Sequence, residues 1–167
     1  MTQATDTKLS ILKRIASGEI LISDGATGTY LMAHGLESGA CPELMNITNP
    51  DVIKKMAETY FSVGSNMVLT NSFGGNRFGL DRYGFGDRVR EFNKAAAELA
   101  SSVAPKDGYV SGSVGPTGVF MQPVGEVTEQ EMTEVFAEQT SALEEGGVDA
   151  ILIETMISTQ EACVAVK

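Results

Sequence analysis

The chain has 167 residues, of which 43% are hydrophobic and 20% charged, enough for one domain with a real core. Its net charge of −10 repels phosphate backbones and argues against a nucleic-acid partner. No apolar run approaches the ~18–20 residues of a membrane span, and the polar start Met1-Thr2-Gln3-Ala4-Thr5-Asp6 lacks a signal-peptide core, so the expected setting is cytoplasmic.

Leu9, Ile11, Leu12 and Ile15 form a helical stripe that Thr5 or Asp6 would cap and Gly18 would end. Glu19 to Ser23 reads as a strand buried on both faces, because its apolar residues are consecutive rather than alternating. The stretch ISDGATGT (Ile22 to Thr29) closes that strand on a carboxylate and leads to a short helix-like segment. In Asn49-Pro50-Asp51 the asparagine caps, the proline takes the first turn and the aspartate meets the helix dipole of Val52 to Val63. Gly64 stops that helix.

Asn66 to Thr70 is a second buried strand, followed by the loop Asn71-Ser72-Phe73-Gly74-Gly75. A helix from Arg88 to Val103 precedes a third strand, Tyr109 to Ser113, and a long loop from Val114 to Val127. Thr128 caps a helix to Glu145, with Glu131 as its capping-box partner, and Gly146-Gly147 ends it. Ala150 to Glu154 is the fourth strand, and Thr159 opens a last helix still running at Lys167. Strand–helix alternation implies parallel strands, in either a doubly wound sheet or a (βα)8 barrel.

In both architectures ligands meet the loops after the strands, and the unusual residues lie there. Asp24, Asn71, the Gly112 to Gly118 stretch and Glu154 stand at the ends of the four predicted strands. Glycines at 112, 115 and 118 do not make the dinucleotide fingerprint, and no helix follows promptly to cradle a phosphate. Two carboxylates and an amide around one mouth suit a small zwitterion: acids for its ammonium, backbone N–H groups for its carboxylate. Each residue also has a plain structural role open to it: a cap for Asp24, an Asx-turn for Asn71, a salt bridge for Glu154.

The single histidine, His34, stands near a helix end, where a cation is unremarkable. Cys41 reads as a surface or half-buried loop thiol and Cys163 as core. Two distant cysteines suggest no disulfide framework, and no zinc site built from this chain alone. Phe73, Phe120 and Met121 are candidates to line a ligand pocket, since aromatics suit a quaternary ammonium, although loop packing is the simpler explanation of the two phenylalanines.

The stretches DGATGT (Asp24 to Thr29), PELMN (Pro42 to Asn46), TNSFGGNR (Thr70 to Arg77), GSVGPTG (Gly112 to Gly118) and Glu154-Thr155 occur in the order and spacing of one family. With them the sequence resembles the homocysteine S-methyltransferases, including the homocysteine-binding module of cobalamin-dependent methionine synthase and bacterial betaine–homocysteine methyltransferases. The resemblance implies a (βα)8 barrel in which zinc, held by three cysteines, activates the homocysteine thiol for attack on a methyl donor. It implies substrate-binding positions at Asp24, Gly25, Ala26, Thr29, Asn71, Phe73, Gly115 and Glu154. The donor would be a methylcobalamin or corrinoid protein, or an onium compound.

The family's zinc cysteines come from later strands, and neither Cys41 nor Cys163 matches them. No catalytic or metal residue is therefore expected in this chain, and the metal ligands are expected beyond Lys167. Residues 1–18 are expected to form an N-terminal helix packing on the barrel, and residues 19–167 its first half. A missing C-terminal half or a homodimer would close it. A corrinoid-linked demethylase and a non-catalytic half-barrel for binding or assembly are the alternative readings.

Overall fold

The computed structural model describes residues 8–167. The proposed caps Thr5 and Asp6 lie outside that range. The first helix, α1 (Ile11–Ala16), is capped by Ser10, whose Oγ accepts the Lys13 N–H. It buries none of its residues and docks through polar contacts: the Tyr109 hydroxyl donates to Leu9 O (2.6 Å), and Lys8 pairs with Asp149 (2.7 Å).

The sheet is three parallel strands, β1 (Met67–Leu69), β2 (Tyr109–Val114) and β3 (Ala150–Ile153), in the order β1-β2-β3. Val68 pairs with Val110, and Gly112 with Ile151. The expected strand at 19–23 is reduced to one parallel bridge, Ser23 to Met67. The Asp24 N–H still donates to Met67 O, and Ile22 O accepts from Asn66 and Met67, so this segment runs alongside β1. Ile20 and Ile22 are exposed, because nothing among the described residues lies on their far side.

Helices α2 (Thr27–Ala33), α3 (Met45–Thr48), α4 (Pro50–Ser62), α5 (Arg77–Asp81), α6 (Val89–Ser101), α7 (Glu129–Glu145) and α8 (Thr159–Val166) fill the connections, with a 3-10 turn at Pro42–Leu44. Asn49 precedes α4 but makes no side-chain cap, since its Oδ1 accepts from Thr48 Oγ1 instead. The capping box of α7 forms as expected: Thr128 Oγ1 accepts the Glu131 N–H, and Glu131 Oε2 accepts the Thr128 N–H (2.8 Å).

Val68 and Val110 pack with Ala57 of α4 and Ala100 of α6, while Val114 packs with Phe136 and Leu143 of α7. Strand alternation turns Met67, Leu69, Ser111, Ser113 and Leu152 to the opposite face. The helix layer covers one face; β2 is nevertheless buried at every residue, whereas β1 and β3 are only partly buried. Neighbours in the sheet follow chain order, and the helices stand on one side. A doubly wound sheet would reverse its order and carry helices on both faces; the three described strands show no such reversal, as in part of a barrel.

Candidate functional site at the strand C-termini

Asp24 leaves the edge of the sheet and turns back onto it. Its Oδ2 accepts the Leu69 N–H (2.9 Å) at the end of β1, and its Oδ1 accepts from Ser23 Oγ (3.1 Å). Burial pushes the carboxyl above the ordinary aspartate value; the Leu69 bond opposes that, and the nearby charge of Glu154 adds to it. The two acids are thus close enough to feel one another, although 130 residues separate them in the chain.

Glu154 is held at the end of β3. Its N–H donates to Val114 O (3.0 Å), and its Oε1 accepts from Ser113 Oγ (2.6 Å). Thr155, next in the chain, has φ 60°, a left-handed conformation rare for a β-branched residue. Such strain costs ~1–3 kcal/mol and gathers at functional sites.

Buried hydroxyls knit β1 to β2. Thr70 Oγ1 lies 2.6 Å from Ser72 Oγ and accepts the Ser113 N–H, while Ser72 Oγ donates to Ser113 O (2.8 Å). Sequence reasoning missed Thr70, Ser72 and Ser113. Their signal was available: three hydroxyls at the ends of otherwise apolar strands, where a buried hydroxyl needs a partner.

Phe73 is 41% exposed, and its ring covers Gly115. A Cβ at Gly115 would stand 2.6 Å from that ring, so only glycine admits it. Glu43, Phe73, Gly74, Arg82, Tyr83 and Pro116 line a shallow cavity of ≈ 210 Å³ beside this loop. Gly25 lies against the Tyr60 ring, and the Tyr60 hydroxyl donates to Ala26 O (3.1 Å). Thr29 is exposed on α2.

The family model for homocysteine S-methyltransferases matches residues 21–167. The chain belongs to the homocysteine S-methyltransferase family. It is 34% identical over 155 residues to the methionine synthase of Mycobacterium tuberculosis, covering 84% of this chain and 13% of that one. The methionine synthase of Mycobacterium leprae is 32% identical over 150 residues, 81% of this chain and 12% of its own. The chain thus spans about an eighth of the curated relatives it matches. In fold it is similar to the homocysteine methyltransferase MmuM of Escherichia coli. The oxidised form aligns with a TM-score of 0.76 at 22% identity, over 92% of this chain and 59% of MmuM. The metallated form aligns with the same score at 21% identity, over 92% of this chain and 60% of MmuM.

Within this family member, the residues proposed for the site divide by what they touch. Glu154 lies near enough to Asp24 for its charge to raise the Asp24 carboxyl, and Phe73 and Gly115 pack on each other. Asn71 is turned into the fold: its Nδ2 donates to Pro42 O (2.8 Å) and to Asn46 Oδ1 (3.1 Å). His34 follows α2 as expected, stacked on Tyr30.

Three expectations about sulfur and the ligand pocket are corrected. Cys41 is buried beside Glu43, which accepts from its Sγ; burial first, then that carboxylate, pushes the thiol up to about 11. Cys163 is exposed, not core, because α8 turns Val164 inward instead. Met121 packs in the core with Phe136 and Met132, which removes it from a ligand pocket, while Phe120 is exposed. Among the described residues, no three histidine, cysteine or acidic side chains are placed to hold a metal.

Proposed function

We propose that this chain is the N-terminal part of a (βα)8 barrel in an enzyme that methylates homocysteine to methionine, and that it supplies amino-acid recognition. The observation that carries the reading is that Asp24 and Glu154, each tied to a strand end by a hydrogen bond, stand at the C-terminal ends of parallel segments, near enough for the charge of Glu154 to raise the Asp24 carboxyl. Two carboxylates there attract the substrate ammonium; Asp24 is already oriented by Leu69 N–H and Ser23 Oγ, and Glu154 by Ser113 Oγ. On this reading backbone N–H groups of residues 24–29, the turn that leads into the first turn of α2, bind the substrate carboxylate, and Phe73 and Gly115 form an apolar wall beside the thiol end.

Zinc belongs to the complete protein on this reading. The metallated form of MmuM supports a metal in the parent, and its ligands are assigned to residues after Lys167. A corrinoid-borne methyl group is the proposed donor; the name of the relatives, methionine synthase, supports methionine as the product. In this division of labour the present residues bind and orient homocysteine, and the remainder activates its sulfur.

The experiment is steady-state kinetics of the full-length protein with Asp24→Ala and Glu154→Ala. Each variant is expected to raise the KM for homocysteine about tenfold or more, since each removes a charge-assisted contact. An unchanged KM in both would take these acids out of the site.

A further inference from the structure

The loop after β1 is held residue by residue from elsewhere in the chain. Asn46 Nδ2 donates to Asn71 O (2.9 Å) and Gln139 Nε2 to Ser72 O (2.8 Å). The Gly115 N–H donates to Phe73 O (3.0 Å), and the Gly74 N–H donates to Glu43 Oε1 (2.7 Å). Asn93 Nδ2 donates to Gly75 O (2.7 Å). These partners come from α3, α7, the loop after β2, the 3-10 turn and α6. A Cβ at Gly75 would meet Asn93 Oδ1 at 2.5 Å, so the glycine admits that anchor.

We infer that Asn46, Asn93 and Gln139 are positioning residues for the homocysteine site, acting through the 71–75 backbone to hold Phe73 over Gly115. The inference rests on the proposed function. Gln139 is the telling member. It is fully buried on α7, whose neighbouring inward residues are Met132, Val135, Phe136, Ala142 and Leu143. Its Oε1 has no partner among the described residues, while its Nε2 reaches Ser72 O and, at 3.3 Å, Asn93 Oδ1. A half-paired buried amide is a poor choice for packing, where an apolar side chain of similar volume would serve better. What the amide alone provides is a donor aimed at the loop. A Gly-Gly loop is otherwise free to sample many conformations, and a site gains when its wall is held before substrate arrives.

The test is Gln139→Met in the full-length protein, which keeps volume and removes the donor. The expected result is a KM for homocysteine raised about tenfold, with kcat changed less, and faster amide exchange at Gly74 and Gly75. A merely structural role would lower the melting temperature and leave the KM and both amides as in the wild type; that result overturns the inference. Asp24→Ala is run alongside. If Asp24→Ala leaves the KM unchanged while Gln139→Met raises it, the carboxylate reading fails and the positioning role stands. If Gln139→Met does not accumulate as folded protein, Asn46→Ser is read by the same two measurements.

Discussion

Asp24 shows how one side chain carries opposing demands. Its carboxylate must be charged to attract an ammonium group, yet burial and Glu154 both disfavour the charge. Because its pKa is raised on folding, the contribution of Asp24 to stability is whole below the ordinary value of 3.8 and is lost as pH rises through the folded value. At neutral pH the buried charge therefore weighs against folding. Asp24→Asn removes that charge and keeps an acceptor for the Leu69 N–H. Its melting temperature is expected to exceed the wild type at pH 7, with the gap narrowing as pH falls towards 3.8, while homocysteine binding weakens. A gap independent of pH would show that the Asp24 charge is not its source.

At the scale of elements, α7 rests on a local device that can be tested alone. Thr128→Ala removes the acceptor for the Glu131 N–H and is expected to cost about 1 kcal/mol in denaturant unfolding. The Thr128 N–H and hydroxyl hold the Glu131 carboxyl below its ordinary value of 4.5, so the box stabilises above that pH and is lost on acidification. Thr128→Ala and Glu131→Ala should be non-additive, because each empties the same box; additive effects would mean that the pair does not act as one unit. This cap was legible in the sequence because Thr128 and Glu131 are three residues apart. Gln139 was not legible, because it occupies a core position by periodicity and its partner, Ser72, is 67 residues away. Asn71 illustrates the converse. Its place at a strand end was readable, but the direction of its amide depended on Asn46 and Pro42, which only the folded chain brings near. The strand at 19–23 is reduced to one bridge, Ser23 to Met67, at the edge of the sheet.

For the whole molecule, the open sheet makes a prediction independent of chemistry. Ile20 is 86% exposed and Ile22 59% at one margin, and Ile151, Leu152 and Ile157 are exposed at the other. Both margins present unpaired backbone as well as apolar side chains, a combination that promotes edge-to-edge association. Residues 1–167 expressed alone are expected to self-associate in sedimentation velocity at micromolar concentration. Ile151→Lys together with Leu152→Glu should suppress that association, since charge on an edge strand opposes pairing. The same material is expected to bind no stoichiometric zinc, because Cys41 is committed to Glu43 and Cys163 stands apart on α8. A monodisperse monomer would mean that the margins are covered in a way the sheet order does not provide. One tightly held zinc per chain, read by atomic absorption after dialysis, would place metal ligands in this half and return the sulfur chemistry to it.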